Sequence, residues 1–339
     1  MSVDPDVRPP AVAGAGEPVP RGGWRARAGR VLGAKETGLA AVLVVIAVFL
    51  AWQSPNFLTA TNLIVVSRQI ALALFLSIGM TFVILSGAID LSVGSVVALV
   101  SVTVGQLMVT AGLPPVLAVV MALVVGALVG VFNGAVVAYT RIPSFVVTLG
   151  MLAMASGLAL GITQGQTISG FPRGFLAIGQ GSTLGIPNPV WLAAVAAAIA
   201  HLVLARTTFG RHVYLLGSNE QAALLSGIAV RRTKILIFTV ASTLAACAAI
   251  VETARLTVGQ PSAGAGYELA AIGAVVIGGA SLFGGEGSIL GTVLGTTLLG
   301  LILNGLILLG ISAYWQQMFS GAVIILAVAL NLWRQRHRP

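Results

Sequence analysis

The sequence predicts an all-α fold, a polytopic membrane helical bundle of about ten transmembrane helices with both termini on the cytoplasmic side. Three observations support this. The 339 residues are 57% hydrophobic and 8% charged, with a mean hydropathy of +1.02, whereas soluble domains carry about a quarter charged residues. The apolar residues fall into runs, most near the ~20 residues that cross a bilayer. The basic residues gather on one side of those runs, as the positive-inside rule requires.

The elements follow in chain order. Residues 1–36 are rich in Pro, Gly and Ala and carry Arg21, Arg25, Arg27 and Arg30. That composition reads as a disordered basic cytoplasmic tail. A signal peptide fits less well, because the first apolar run starts late and lacks a clear cleavage site. The predicted spans are Thr37–Ser54, Asn62–Leu85, Ala88–Thr110, Pro115–Tyr139, Ser144–Thr163, Val190–Ala205, Ile235–Ala254, Glu268–Phe283, Ser288–Gly310 and Trp315–Trp333. The sixth and eighth are short, so one or both are tilted, broken or re-entrant. Residues 37–333 thus form one transmembrane domain, interrupted by a basic loop at 206–234, and 334–339 form a second basic cytoplasmic tail.

Orientation comes from charge. With the N-terminus inside and an even number of crossings, Arg8, Arg21, Arg25, Arg27, Arg30, Lys35 and Arg141 lie inside. So do Arg206, Arg211, Arg231, Arg232, Lys234, Arg334, Arg336 and Arg338, which makes fifteen of the 18 Lys and Arg. Arg173 and Arg255 fall outside, and Arg68 sits within the second span, where it can snorkel outward. An odd number of spans would place the C-terminal cluster outside. The imbalance also accounts for the net charge of +9, so no nucleic-acid partner is needed. The single cysteine, Cys247, excludes an internal disulfide, and His201, His212 and His337 lack metal-ligand spacing.

Glycine spacing supplies a packing pattern. Gly126, Gly130 and Gly134 recur every fourth residue, as do Gly287, Gly291 and Gly295, and Gly157 with Gly161. Lipid gives little hydrophobic drive between helices, so close backbone approach through small residues holds them together.

Polar groups at membrane depth are costly and face a cavity or another helix. Asp90, in the stretch Ser86-Gly-Ala-Ile-Asp-Leu-Ser-Val-Gly94, either lines a substrate path or N-caps the third helix after Gly87 ends the second. Asn133 and Asn304 bond a neighbouring helix or substrate hydroxyls. With Ser92, Ser144 and Phe145 they complete the candidate pathway set. Glu252, Glu268 and Glu286 lie near span ends, where a solvated carboxylate is expected.

In the central loop, Ser218-Asn219 offers an N-cap and Glu220 places negative charge in the first turn. Ala222, Ala223, Leu224 and Leu225 follow, and Ser226-Gly227 ends the run. Two turns are too few to be stable alone, so this helix needs a docking surface or lies on lipid. Neither lysine, Lys35 or Lys234, follows a glycine, so the chain has no Walker A phosphate loop. No Ser/His/Asp or Cys/His constellation appears, and no catalytic activity or bound cofactor is expected.

Four motifs in this order resemble the permease subunits of bacterial ABC sugar importers of the ribose/xylose/galactose type. They are Gly79 to Ser95, containing Ile-Asp-Leu-Ser-Val-Gly; Asn133-Gly134 with Arg141 to Gly150; Gly217 to Ile228; and Ala271 to Ser288. The resemblance spans roughly residues 38–333 and departs mainly in the N-terminal tail. It implies a bacterial inner-membrane protein that pairs with a second permease copy, identical or paralogous. It further implies two cytoplasmic ATPase subunits that hold ATP and Mg, and an extracytoplasmic sugar-binding protein. Asn219–Gly227 would then be the coupling helix, with Gly217, Ser218, Asn219, Glu220, Ala222, Ala223, Ser226 and Gly227 facing the ATPase. Two other classes remain: an ion-coupled secondary transporter using Asp90, Glu252, Glu268 or Glu286, and a passive channel or scaffold, which leaves the central loop idle.

Overall fold

The computed structural model describes residues 34–312 and isolated helical positions between 314 and 329. Apart from those positions, the tenth predicted span (Trp315–Trp333) and the tails at 1–33 and 334–339 lie outside the described residues. The chain begins with α1 (Ala34–Gln53), α2 (Ala60–Leu85) and α3 (Val93–Gly105), which continues as one π-helical turn (Gln106–Thr110). Next come α4 (Pro115–Tyr139), α5 (Ser144–Thr163), β1 (Ile168–Ser169), α6 (Arg173–Gln180), β2 (Ser182–Thr183) and β3 (Ile186–Pro187). Then follow α7 (Asn188–Arg206), α8 (Thr208–Ser218), α9 (Glu220–Leu225), α10 (Val230–Leu256), β4 (Val258–Gly259), α11 (Tyr267–Ile277) and α12 (Ile289–Leu308). Two short antiparallel pairs, β1 with β4 and β2 with β3, are the only sheets among the described residues.

Among the described residues, eight helices are long and apolar enough to span a membrane: α1, α2, α3 with its π turn, α4, α5, α7, α10 and α12. Several predicted boundaries change, among them the starts of α3 and α10, which fall five residues later and five residues earlier than predicted. The first helix starts at Ala34, inside the segment read as tail. The sixth segment is not short, since α7 is a regular helix of 19 residues. The eighth is broken: α11 stops after 11 residues and a glycine-rich turn at 278–288 completes the run.

Local chemistry sets these ends. Pro114, Pro143 and Pro187 precede α4, α5 and α7, where a missing N–H costs nothing because the first helical donors are unpaired anyway. Thr59 caps α2, and Ser288 caps α12 by accepting from Gly291 N at 3.0 Å.

α10 runs through the middle of the bundle and packs against α4, α2 and α3. On α4, a Cβ at Gly126 would lie 2.6 Å from Ala246 Cβ, and one at Gly134 2.6 Å from Ile235 Cα. At Gly130 it would meet the Phe238 carbonyl at 2.5 Å. The first glycine series therefore is the α4–α10 seam. Gly291 and Gly295 press against Gly278 and Ala274 at the end of α11. Gly287 does not share their helix: it lies in the preceding turn at φ +150°, against Ala280. Gly157 and Gly161 meet nothing within 4 Å, so that pair packs no helix of the described chain. The outward faces of α1, α4, α5 and α7 expose Val45, Val124, Leu158 and Val195, which suits lipid, where the backbone is already satisfied within each helix.

Candidate functional site

The bundle face carrying residues 206–234 holds α8 and α9. Thr207 caps α8 by accepting from Gly210 N at 3.1 Å. This helix, which the sequence reading missed, buries Gly210, Val213 and Leu216. Asn219 Oδ1 then accepts from Ala222 N at 3.0 Å to start α9. Gly227 at φ +78° ends it, and Ile228 N donates back to Ala223 O at 3.1 Å, an ordinary glycine C-cap. Lys234 Nζ donates to Glu220 Oε1 at 2.6 Å. Glu220 is more than half exposed, so that pair adds little stability.

The α9 surface is uneven. Leu224 and Leu225 are 63% and 88% exposed, and Ser218, Asn219, Glu220, Ala222, Ser226 and Gly227 are exposed beside them. Ala223, in contrast, is buried in the main core. Gly217 faces inward too: a Cβ there would collide with the Leu85 carbonyl and sit 2.7 Å from Gly285 N. Gly285 N donates to Leu85 O at 2.9 Å, and Tyr214 Oη donates to Gly287 O at 2.9 Å. Burial pushes the Tyr214 hydroxyl above its ordinary pKa, so it remains a donor. α8 is thereby fastened to the end of α2 and, through residues 284–288, to the start of α12.

On the same side, the stretch between α2 and α3 is non-helical and held by side chains. Ile89 N donates to Ser144 Oγ at 3.1 Å, and Leu91 N to Thr148 Oγ1 at 3.0 Å. Asp90 Oδ1 accepts from Ser92 N at 2.8 Å and from Ser92 Oγ at 2.6 Å. Asn133 Nδ2 donates to the same Ser92 Oγ at 3.0 Å. Asp90, Ser92 and Asn133 are fully buried. The residue at the N-cap position is Ser92, with no side-chain cap bond; Asp90 accepts the N–H of Ser92 from two residues upstream. That corrects the N-cap expectation by position, since the helix opens five residues later than its apolar run. Irregular backbone at membrane depth is tolerated where protein buries it, and Ser144 and Thr148 supply that cover. Of the predicted pathway residues, Asp90, Ser92, Asn133 and Ser144 come together here. Phe145 is half exposed, and Asn304 lies elsewhere.

Asn304 belongs to the opposite face. Its Nδ2 donates to Asn62 Oδ1 at 2.8 Å, and Asn62 Nδ2 returns a bond to Asn304 Oδ1 at 3.2 Å. This amide pair joins α2 to α12 and lines a cavity of about 470 Å³ with Asn56, Thr59 and Gln69. Gln69 and Ile307 also line a second cavity of about 280 Å³ between α2, α11 and α12, together with Arg255 and Tyr267. Glu252 is 5% exposed, not solvated as expected, and its Oε1 accepts from Tyr267 Oη at 2.6 Å. Arg68 Nη2 donates to Gln180 O at 2.6 Å, and Gln180 Nε2 donates to Arg255 O at 3.2 Å. Sequence reasoning missed Gln69, Arg255 and Tyr267. One signal was present: an acid and a base three residues apart, on one helical face of an apolar span.

Residues 61–328 match the family described as the branched-chain amino acid transport system permease component. The chain is 41% identical to the ribose import permease of Escherichia coli K12, over 89% of this chain and 94% of that protein. It is 42% identical to the ribose import permease of Bacillus subtilis 168, over 85% and 90% respectively. The xylose transport permease of Escherichia coli K12 is 34% identical, over 86% and 90%. No solved structure matches at a significant level. These matches and the apolar helices identify a multi-pass protein of the inner membrane. The chain belongs to the permease-component family of ABC importers that also holds these ribose and xylose permeases.

Proposed function

We propose that this chain is the membrane subunit of an ATP-driven importer that moves a monosaccharide or related polyol by alternating access. The 206–234 loop and both termini lie in the cytoplasm. A pair of ATPase subunits holds ATP and Mg and receives α9, a second permease copy completes the membrane unit, and an extracytoplasmic binding protein delivers sugar. The observation that supports this best is mechanical. α9 displays Leu224 and Leu225 outward, while the α8 that carries it is locked to the ends of α2 and α12 through Gly217 and Tyr214. A displacement of α9 therefore reaches the two helices that wall both cavities on the far side. The identities to ribose and xylose permeases support sugar as cargo.

Reconstitution tests it. Proteoliposomes holding this chain alone should neither hydrolyse ATP nor accumulate sugar under a proton or sodium gradient. Adding the cognate ATPase and binding protein should establish both activities. Gradient-driven accumulation by the lone chain would establish the ion-coupled alternative in its place.

A further inference from the structure

We infer that an acyl chain of an anionic phospholipid seats in an apolar groove between α7 and α10, with its phosphate at Arg206. These two helices scarcely touch, since α7 packs on α2 instead. Ala196 and Ala200 of α7 leave space opposite Thr239 and Thr243 of α10, and the resulting groove holds about 360 Å³. Phe82 and Phe209 line its α8 end, their rings stacked with centroids 6.1 Å apart.

Lining, length and charge together select the occupant. The hydroxyls of Thr239 and Thr243 donate within their own helix, to Ile235 O at 2.8 Å and Thr239 O at 2.7 Å. The wall therefore presents hydrocarbon. Water has nothing to bond there, and an empty groove forgoes the dispersion contacts that a chain would supply. From Ala196 to Arg206 the α7 wall runs ten residues, about 15 Å of helix, which is the depth of one leaflet of a ~30 Å hydrocarbon core. Ile199, Val203 and Arg206 follow at spacings of four and three, so they share one face of α7. Arg206, in the last turn, is exposed and has no acidic partner among the described residues. A cation at head-group depth above a dry groove one leaflet long fits a lipid phosphate. A neutral apolar ligand would leave Arg206 unused, and a sugar would leave its hydroxyls unpaired.

Naming this leaflet the inner one rests on the orientation proposed above, but the binding does not. It is read without transport, so either idea can fail alone. The full-length chain, delipidated in a mild detergent, is titrated with phosphatidylglycerol or with phosphatidylcholine of the same chains. Native mass spectrometry and the melting temperature report binding. Phosphatidylglycerol should bind about fivefold tighter, the worth of one cation near a head group, and should raise the melting temperature. Glycerol 3-phosphate, which has the phosphate without the chains, should do neither. Arg206→Gln should remove the preference and leave phosphatidylcholine binding unchanged. Ala196→Phe, which fills the groove, should lose the tightest-bound molecule of either lipid, and Ala196→Leu should do the same if the larger side chain prevents folding. Leu158→Phe, on the outward face of α5, should bind both lipids as wild type does. Equal binding of the two lipids by wild type, or undiminished retention by the folded groove variant, would overturn the site. So would a preference that survives Arg206→Gln, or stabilisation by glycerol 3-phosphate alone.

Discussion

Asp90 serves its helix from outside it, spending one carboxylate oxygen on two donors of Ser92. Through Ser92 Oγ the same small network reaches Asn133 on α4, so three buried polar groups fix where the second and third spans part. Asparagine retains the accepting oxygen, whereas alanine strands the Ser92 N–H. Asp90→Asn should therefore keep folding and uptake near wild type. Asp90→Ala should cost about 1–2 kcal/mol, as for a buried donor left unmade. Thermal unfolding in detergent, with uptake normalised to folded protein, measures both. A folded but inactive Asp90→Asn would show that the charge acts in transport. The sequence offered a backbone-accepting Asp90 as one of two readings, and placed it at the N-cap, two residues from where that cap falls. The apolar run begins at Ala88, and nothing local announces that Ser144 and Thr148 hold the chain extended through Leu91.

Helices tell a similar story at larger scale. Every long span was legible from its apolar run, because length and hydropathy alone settle which segments can cross lipid. The glycine pattern was legible only in part. Gly126, Gly130 and Gly134 face α10 at backbone contact, while Gly157 and Gly161 face nothing among the described residues; spacing names a smooth face but not its partner. Gly130→Leu should thus force α4 from α10 and lower stability by about 1–3 kcal/mol, the usual cost of overpacking. Gly157→Leu should leave the melting temperature of the isolated subunit unchanged. Equal melting temperatures for wild type and Gly130→Leu would refute the seam. α11 was expected as a short or broken segment, but its end at Ile277 was not, because the residues from Gly278 onward sit in a run still apolar enough to read as one span.

At the scale of the molecule, two faces are joined by α2 and α12. The short helix of the 206–234 loop was legible from its caps, since Asn219 and Gly227 are where the residue types place them. The far cavities were not, because Gln69, Arg255 and Tyr267 lie on three separate elements and meet only in the fold. Gly217, wedged beneath Leu85 and Gly285, is the joint between loop and bundle. Gly217→Val should loosen it and cut sugar uptake per ATP hydrolysed, while the complex still assembles. Leu225→Arg, at the exposed tip, should instead weaken ATPase binding, read by co-purification. Intact uptake per ATP in Gly217→Val would show that force reaches the cavities by another path.

The peripheral position of α1 bears on how the protein is made. Only 6% of its membrane-spanning stretch is buried within the described chain, and its principal packing partner is α12, through Leu50 against Leu301 and Leu308 and through Glu36 with Ser288. α1 is synthesised well before its partner α12, by about 10–50 s at ordinary elongation rates of ~5–20 residues per second. During that interval it stands alone in the bilayer, where an apolar surface on every side is the one kind that needs no neighbour. Its late docking then closes the bundle as a clasp fitted after the rest has been threaded.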